Sequence, residues 1–453
     1  MNHDMTKGKI FPIILKFTWP LFLGNIFQQL YNMCDMIIVG RFVGSDALAA
    51  VGSTGTIMFL LIGFSIGITA GFAVMTSQRF GAGDEEGVKI SVANGVLLSL
   101  IATVILTASG LYAMPTILHL MNTPSNIYHD ASSYINIICM GLMANIFYNL
   151  LSSYLRAVGN SQAPLFFLVF SACLNVVLDL YFIIVLNMGV AGAARATILS
   201  QGISALLCLL YIGWKVKVLV PRREHVRINR DATVLQLKMG IPMALQFAIT
   251  ASGTMIMQAA INLFGSTAVA AFTAANKTQN LITQGMISMG QTMASYCGQN
   301  FGAGDYDRVE EGCKAAVKIE IVYSLLAALV TFLALPNMLH IFFAAHVDMN
   351  TILPWAREYA YLCMIFYIPL SLIFIYRNAM QGCGYWFLPM MGGVIELVSR
   401  CVMAFLGMHT HSYLLSVACD PAAWFFTGIY VVIAFGYVMK DMRRKHAQFL
   451  AEE

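Results

Sequence analysis

Twelve long apolar runs, broken only by short stretches of Gly, Pro and charge, leave this chain few ways to fold. In the first half they fall at 12–39, 51–78, 89–114, 128–156, 163–187 and 192–218. In the second half they fall at 236–263, 268–298, 312–336, 353–382, 386–408 and 413–439. About 20 apolar residues make a helix that crosses the hydrocarbon core of a bilayer. Charge agrees with this reading. The 26 basic and 22 acidic residues amount to 11% of 453, against roughly 25% in a soluble domain. Hydrophobic residues reach 59%, and the mean hydropathy is +0.74. These figures exclude a soluble globular protein, a disordered chain and a nucleic-acid-binding domain. The expected fold is an all-α membrane protein of twelve transmembrane helices.

The basic residues orient the spans. An even count puts both termini on one side. That side also receives the segment with Lys215, Lys217, Arg222, Arg223, Arg227, Arg230 and Lys238, and the tail with Lys440, Arg443, Arg444 and Lys445. The positive-inside rule makes it cytoplasmic. Met1 to Phe11 runs straight into the first apolar segment without a signal peptide's short core and cleavage site, so the first helix is expected to be retained. A bacterial inner (plasma) membrane is the expected location. The ten cysteines are scattered, mostly inside apolar runs, and read as small buried hydrophobes; neither a disulfide framework nor a zinc site is implied.

The chain repeats itself. Arg79-Phe-Gly-Ala-Gly-Asp84 recurs as Asn300-Phe-Gly-Ala-Gly-Asp305, and Gly44-Ser-Asp-Ala-Leu-Ala-Ala50 as Gly265-Ser-Thr-Ala-Val-Ala-Ala271. Both pairs are shifted by 221 residues. Pro20 answers Pro242, and Arg156 to Pro164 aligns with Gln381 to Pro389. Each copy spans six helices, so the two share one orientation and are related by an axis along the membrane normal, an arrangement used by transporters. The expected organisation is a six-helix bundle over 1–218, a cytoplasmic linker over 219–233, a second bundle over 234–440 and a cytoplasmic tail over 441–453.

In this order and on this repeat, the chain resembles the multidrug and toxic compound extrusion (MATE) family. The residues that carry the resemblance are the paired loops RFGAGD and NFGAGD, Pro20 followed by Asp35, and Asn175-Val-Val-Leu-Asp179. Gly189 to Thr197, Glu396-Leu-Val-Ser-Arg400 and Pro421-Ala-Ala-Trp424 add to them. The resemblance implies two pseudo-symmetric six-helix bundles around a V-shaped central cavity. It also implies a secondary antiporter that expels mostly cationic, amphipathic compounds against H⁺ or Na⁺.

Acids inside membrane helices are costly, so each one is a functional candidate. Gln28, Asn32 and Asp35, at spacings of four and three, share one face of the first helix; Asn175 and Asp179 share a face of the fifth. Two carboxylates and an amide oxygen suit a hard cation such as Na⁺, or a proton shared between the acids. The resemblance implies a cation site of Asp35, Asn175, Asp179 and Thr197. The second half departs from this pattern. Ile256 and Met257 stand where Asp35 would repeat, and the tenth helix has only Glu358 near its outer end. This argues for a DinF-like or MepA-like branch rather than a NorM-like one.

Four further expectations concern the remaining polar residues. Glu396 and Arg400, four apart, read as a structural ion pair. Lys277, mid-span, would face water or a carboxylate. Gln28, Tyr31, Asn32, Met33, Asn145, Tyr148, Asn149, Gln258, Lys277 and Gln284 are expected near a substrate cavity, where aromatics and Met suit varied organic cations. Pro20 and Pro242 should kink their helices. No nucleophile–base pair or His/Asp/Glu cluster suggests an enzyme. No cofactor is expected beyond the coupling ion, and no metal beyond Na⁺. The expected partners are small organic cations and the lipid bilayer, not nucleic acid, with the protein acting as a monomer. The alternative function is a lipid-linked oligosaccharide flippase, which would need a strongly cationic cavity.

Overall fold

The computed structural model describes residues 4–121, 123–342 and 348–452. Those residues are helical almost throughout. The first half contains α1 (Ile10–Phe42), α2 (Ser45–Ser53), α3 (Gly55–Gly81), α4 (Glu85–Leu120), α5 (Ser125–Met140), α6 (Leu142–Ala157), α7 (Gln162–Leu180) and α8 (Gly189–Lys215). The second contains α9 (Arg230–Asn262), α10 (Ser266–Gly302), α11 (Tyr306–Phe342), α12 (Met349–Ile365), α13 (Tyr367–Gly382), α14 (Phe387–Thr410), α15 (Tyr413–Val417) and α16 (Cys419–Glu452).

Each of the twelve expected spans falls on one helix or one bent pair, except that 51–78 begins in α2 before α3 and 413–439 begins in α15 before α16. Among the described residues nine helices are long and apolar enough to cross a bilayer, and the pairs α5–α6 and α12–α13 bring the number to eleven. The twelfth is α10. It has 37 residues, but Asn276, Lys277, Thr278, Gln279, Asn280, Thr283 and Gln284 make it too polar to pass on hydropathy alone. A helix this polar in a membrane protein turns its amides toward other protein groups or water rather than lipid.

The repeat is written in the backbone. Gly44 and Gly265 both have positive φ ahead of their helices, Gly83 and Gly304 do so in the GAGD loops, and Gly159 and Gly384 in the third pair. Asp84 accepts from the Gly87 amide at 2.8 Å, and Asp305 accepts from the Arg308 amide at 3.0 Å. Each thereby satisfies an orphan donor at a helix N-terminus. The bent pairs also match: α5–α6 turns by 48° at Gly141, and α12–α13 by 52° at Phe366. Pro20 and Pro242, the expected kinks, lie inside α1 and α9, which each run on as one helix.

The helices form two compact units. The first comprises Trp19–Phe247 with Asp4 and Met5; the second comprises Thr6–Thr18 and the chain from Ala248 onward. Both boundaries fall inside helices, α1 and α9, whereas the polar segment 219–233 lies wholly within the first unit. A short 3-10 turn (Lys217–Leu219) leads into that segment, a second (Arg223–His225) lies within it, and its last residues already belong to α9. It is tied to α4 by His225 Nε2 and Glu86 Oε2 at 2.5 Å, and by the Asn229 amide donating to Asn94 Oδ1 at 3.2 Å. The tail 441–453 continues α16 as far as Glu452.

Within the first unit α3 packs against the start of α9 through small residues. A β-carbon on Gly67 would stand 2.6 Å from the Ala244 Cα, and one on Gly63 would stand 2.8 Å from Phe247. Four-residue spacing lines these glycines along one face and lets the helix backbones approach, which is how membrane helices gain contact where lipid offers no hydrophobic drive.

Candidate functional site

The first unit gathers a buried oxygen cluster from four helices. Asp35 of α1 and Asp179 of α7 are 8% and 0% exposed, and their carboxyl groups face each other within hydrogen-bonding reach. Asn175, one turn before Asp179, is fully buried and donates to Thr197 Oγ1 of α8 over a long 3.4 Å. The Tyr31 hydroxyl donates to the same oxygen at 3.5 Å. Tyr134 of α5 lies close to Asp35, Asp179 and Tyr31. Asp35 Oδ1 is buried without a hydrogen-bond partner, and no basic side chain pairs with Asp35 among the described residues.

Local sequence explains the placement. Tyr31 and Asp35 are four apart on α1, so one face carries both. Asn175 and Asp179 hold the same relation on α7. Two residues after Asp179 the helix gives way to a π-helical turn, Tyr181–Val185, with the Leu186 amide donating to the Tyr181 carbonyl. Such wide turns recur at functional sites because they redirect side chains near them. The four residues expected to form a cation site are therefore brought together. Tyr31, expected near a substrate cavity, also reaches this cluster through Thr197, and Tyr134, a tyrosine in a half-polar span, carried no sequence signal.

The expected stripe on α1 divides. Asp35 is buried, Gln28 is partly buried and Asn32 is exposed. Asn145 Nδ2 donates to Gln201 Oε1 at 3.3 Å, and Asn149 Nδ2 donates to the Asn145 carbonyl at 2.9 Å. Tyr148 lies within this α6 segment and Met33 on α1, both partly buried. In the second unit Gln258 donates to Asn262 at 2.8 Å, Gln284 donates to the Asn280 carbonyl at 2.8 Å, and Lys277 is exposed.

The second unit carries a charge network larger than the expected pair. Arg400 Nη1 lies 3.5 Å from Glu396 Oε2, but its Nε bonds Asp420 Oδ1 at 3.0 Å. Arg377 Nη1 takes the other Glu396 oxygen at 2.9 Å. Tyr359 donates to Asp420 at 3.2 Å and accepts from Asn276 at 3.0 Å. Two guanidinium groups and two carboxylates balance, which is the condition for keeping charges out of water. Arg377 and Asp420 were missed because their partners lie on other helices.

The first unit's acid pair differs in kind: two like charges without a balancing cation from Asp35's side. Such a pair needs a cation or a shared proton to remain buried.

Comparisons with known proteins agree with this architecture. The model of the MatE family matches residues 20–181 and 242–406, so it matches once per repeat. The probable multidrug resistance protein YpnP of Bacillus subtilis (strain 168) is 33% identical over 307 residues, 68% of each chain. The probable multidrug resistance protein YoeA of the same organism is 26% identical over 329 residues, 71% of each chain. Among solved structures, one described as MATE in the straight conformation superposes with a TM-score of 0.88 at 22% identity, covering 97% of this chain and 98% of that one.

Proposed function

Because the chain belongs to the MatE family, whose members are multi-pass membrane transporters and not enzymes, we propose that it is a cation-coupled antiporter that exports amphipathic organic cations. The observation that carries this reading is the buried Asp35–Asp179 pair, with Asn175, Thr197 and Tyr31 around it. A proton or Na⁺ bound there removes the cost of two buried like charges. Binding that differs between two conformations shifts the population toward one of them. Antiport follows when cation and substrate favour opposite facings, with a coupling free energy that is reciprocal. The absence of an acid at Ile256 and Met257 supports placing this coupling in the first unit. The multidrug names of its relatives support a broad substrate range. The basic segments around Lys215–Lys238 and Lys440–Lys445 support cytoplasmic termini in a bacterial plasma membrane.

Lipid-linked sugar flipping is not favoured, since pyrophosphate needs clustered cations and the second unit's guanidinium groups are already engaged by Glu396 and Asp420. The test is transport of a fluorescent organic cation in proteoliposomes under imposed pH or Na⁺ gradients, with Asp35→Asn and Asp179→Asn. The reading expects gradient-driven transport to fall at least tenfold in both. Transport unaffected by both changes would sink it.

A further inference from the structure

The second unit contains one buried acid that neither the charge network nor the repeat explains. Glu320 of α11 is 3% exposed. Ser371 of α13 donates to its Oε2 at 3.0 Å, and Ser324 of α11 bonds the Ser371 hydroxyl at 3.0 Å. With Glu320 ionised, Ser371 donates to it and Ser324 donates to Ser371. No basic side chain pairs with Glu320 among the described residues.

The surroundings leave the charge uncompensated from every side. On α11 itself the nearest titratable group is Tyr323, whose hydroxyl donates to the Ile282 carbonyl of α10 at 2.6 Å. Lys314 is held by Glu310, and Lys318 is exposed. The charged residue of α10, Lys277, is exposed, as are Arg357 and Glu358 of α12. Arg377 of α13 is engaged by Glu396. On α16, Asp420 is engaged by Arg400, Asp441 by Lys445 and Arg443 by Asp307, while Lys440 is exposed.

An acid in this setting is costly as an isolated anion. Four side-chain oxygens, three of them already joined by hydrogen bonds, are too few for a hard cation, which takes about six. A proton needs only one. The first unit has no equivalent: shifted by 221, the positions of Glu320 and Ser324 are Ser99 and Thr103. We propose that Glu320, with Ser371 and Ser324, is a proton-binding site of the second unit, separate from Asp35 and Asp179. The site binds and releases its proton whether or not the first unit couples transport to a cation.

The experiment is acid-minus-alkaline infrared difference spectroscopy of the full chain in proteoliposomes, in an Asp35→Asn/Asp179→Asn background that silences the first pair. The C=O stretch of a protonated carboxylic acid should appear at acid pH and lose one group's intensity when Glu320→Gln is added. Ser371→Ala keeps the acid and removes its hydrogen-bond donor. It should shift the band's frequency without abolishing it, and it reads the site even where Glu320→Gln fails to fold. Superimposable spectra with and without Glu320→Gln would overturn the proposal. So would a band that Glu320→Gln removes but pH does not change, and so would a band unmoved by Ser371→Ala.

Discussion

A β-carbon placed on Gly71 would stand 2.4 Å from the Cα of Gly240. No side chain can yield there, because the atom it meets is backbone. The start of α9 is thus seated on α3 at a distance that leaves no room for a side chain at Gly71.

Gly71→Ala should destabilise the protein by about 1–3 kcal/mol, since the helices must separate to admit a methyl group. Gly240→Ala should cost an amount in the same range, because its added carbon would stand 2.8 Å from the buried Phe72 ring and 3.0 Å from the Ile68 carbonyl. Gly213→Ala is the control. Nothing lies within 4 Å of its added carbon and the backbone is helical, so it should be neutral or stabilising by up to about 1 kcal/mol. Thermal unfolding in detergent ranks the three.

Asp35→Asn and Asp179→Asn should not add. Each change alone removes the like-charge pair, so the double variant should lose little more gradient-driven transport than either single one. Neighbours within one network couple in this way. Independent, multiplicative losses in a double-mutant cycle would show two separate sites.

Removing one charge from the second unit should cost more than removing a balanced pair. Glu396→Gln removes the carboxylate that bonds Arg377 and Arg400 while Asp420 stays on Arg400, and should cost about 3–5 kcal/mol. Arg377→Met with Glu396→Leu keeps the Arg400–Asp420 bond and should recover a substantial part of that loss. The readout is again thermal unfolding, alongside the yield of folded protein.

Pro20→Ala should blunt the response of α1 to pH. Proline at this position gives Lys16 no amide to bond, which loosens the helix one residue beyond the Thr18–Trp19 boundary between the units. Spin-label distances between the two ends of α1 at acid and alkaline pH should change less in the variant, and efflux should fall. Equal distances and equal efflux in the two proteins would remove Pro20 from the mechanism.

Hydropathy located the twelve spans because burial in lipid demands a long apolar run in each. The polar stretch of α10 did not show its partners in the same way, since Asn276 and Gln279 bond Tyr359 and Tyr367 on other helices. The acid pair was legible for a related reason: Asp35 and Asp179 stand out against apolar neighbours. Tyr31 and Tyr134 did not, because tyrosine is ordinary in such helices. Glu320 carried no repeat signal, because Ser99 stands at its position in the first half and its partner Ser371 lies on another helix. Arg377 and Asp420 were missed because their partners lie on α14, and spacing along one helix reports only contacts within it. The bends at Gly141 and Phe366 also lay outside the kinks expected from proline.

The boundary inside α9 bears on how the protein is made. A ribosome that has reached residue 218 has released six spans, yet the partner of Gly67 and Gly71 is Met239 to Ala244. Until that stretch enters the bilayer, the glycine face of α3 has no protein against it. The first unit therefore cannot finish assembling from the first half of the message. Likewise Thr6–Thr18, made among the first residues, belongs to the unit that is completed last. Cutting the gene at the polar linker would give two fragments, each lacking a piece carried by the other, and only their joint synthesis would restore both.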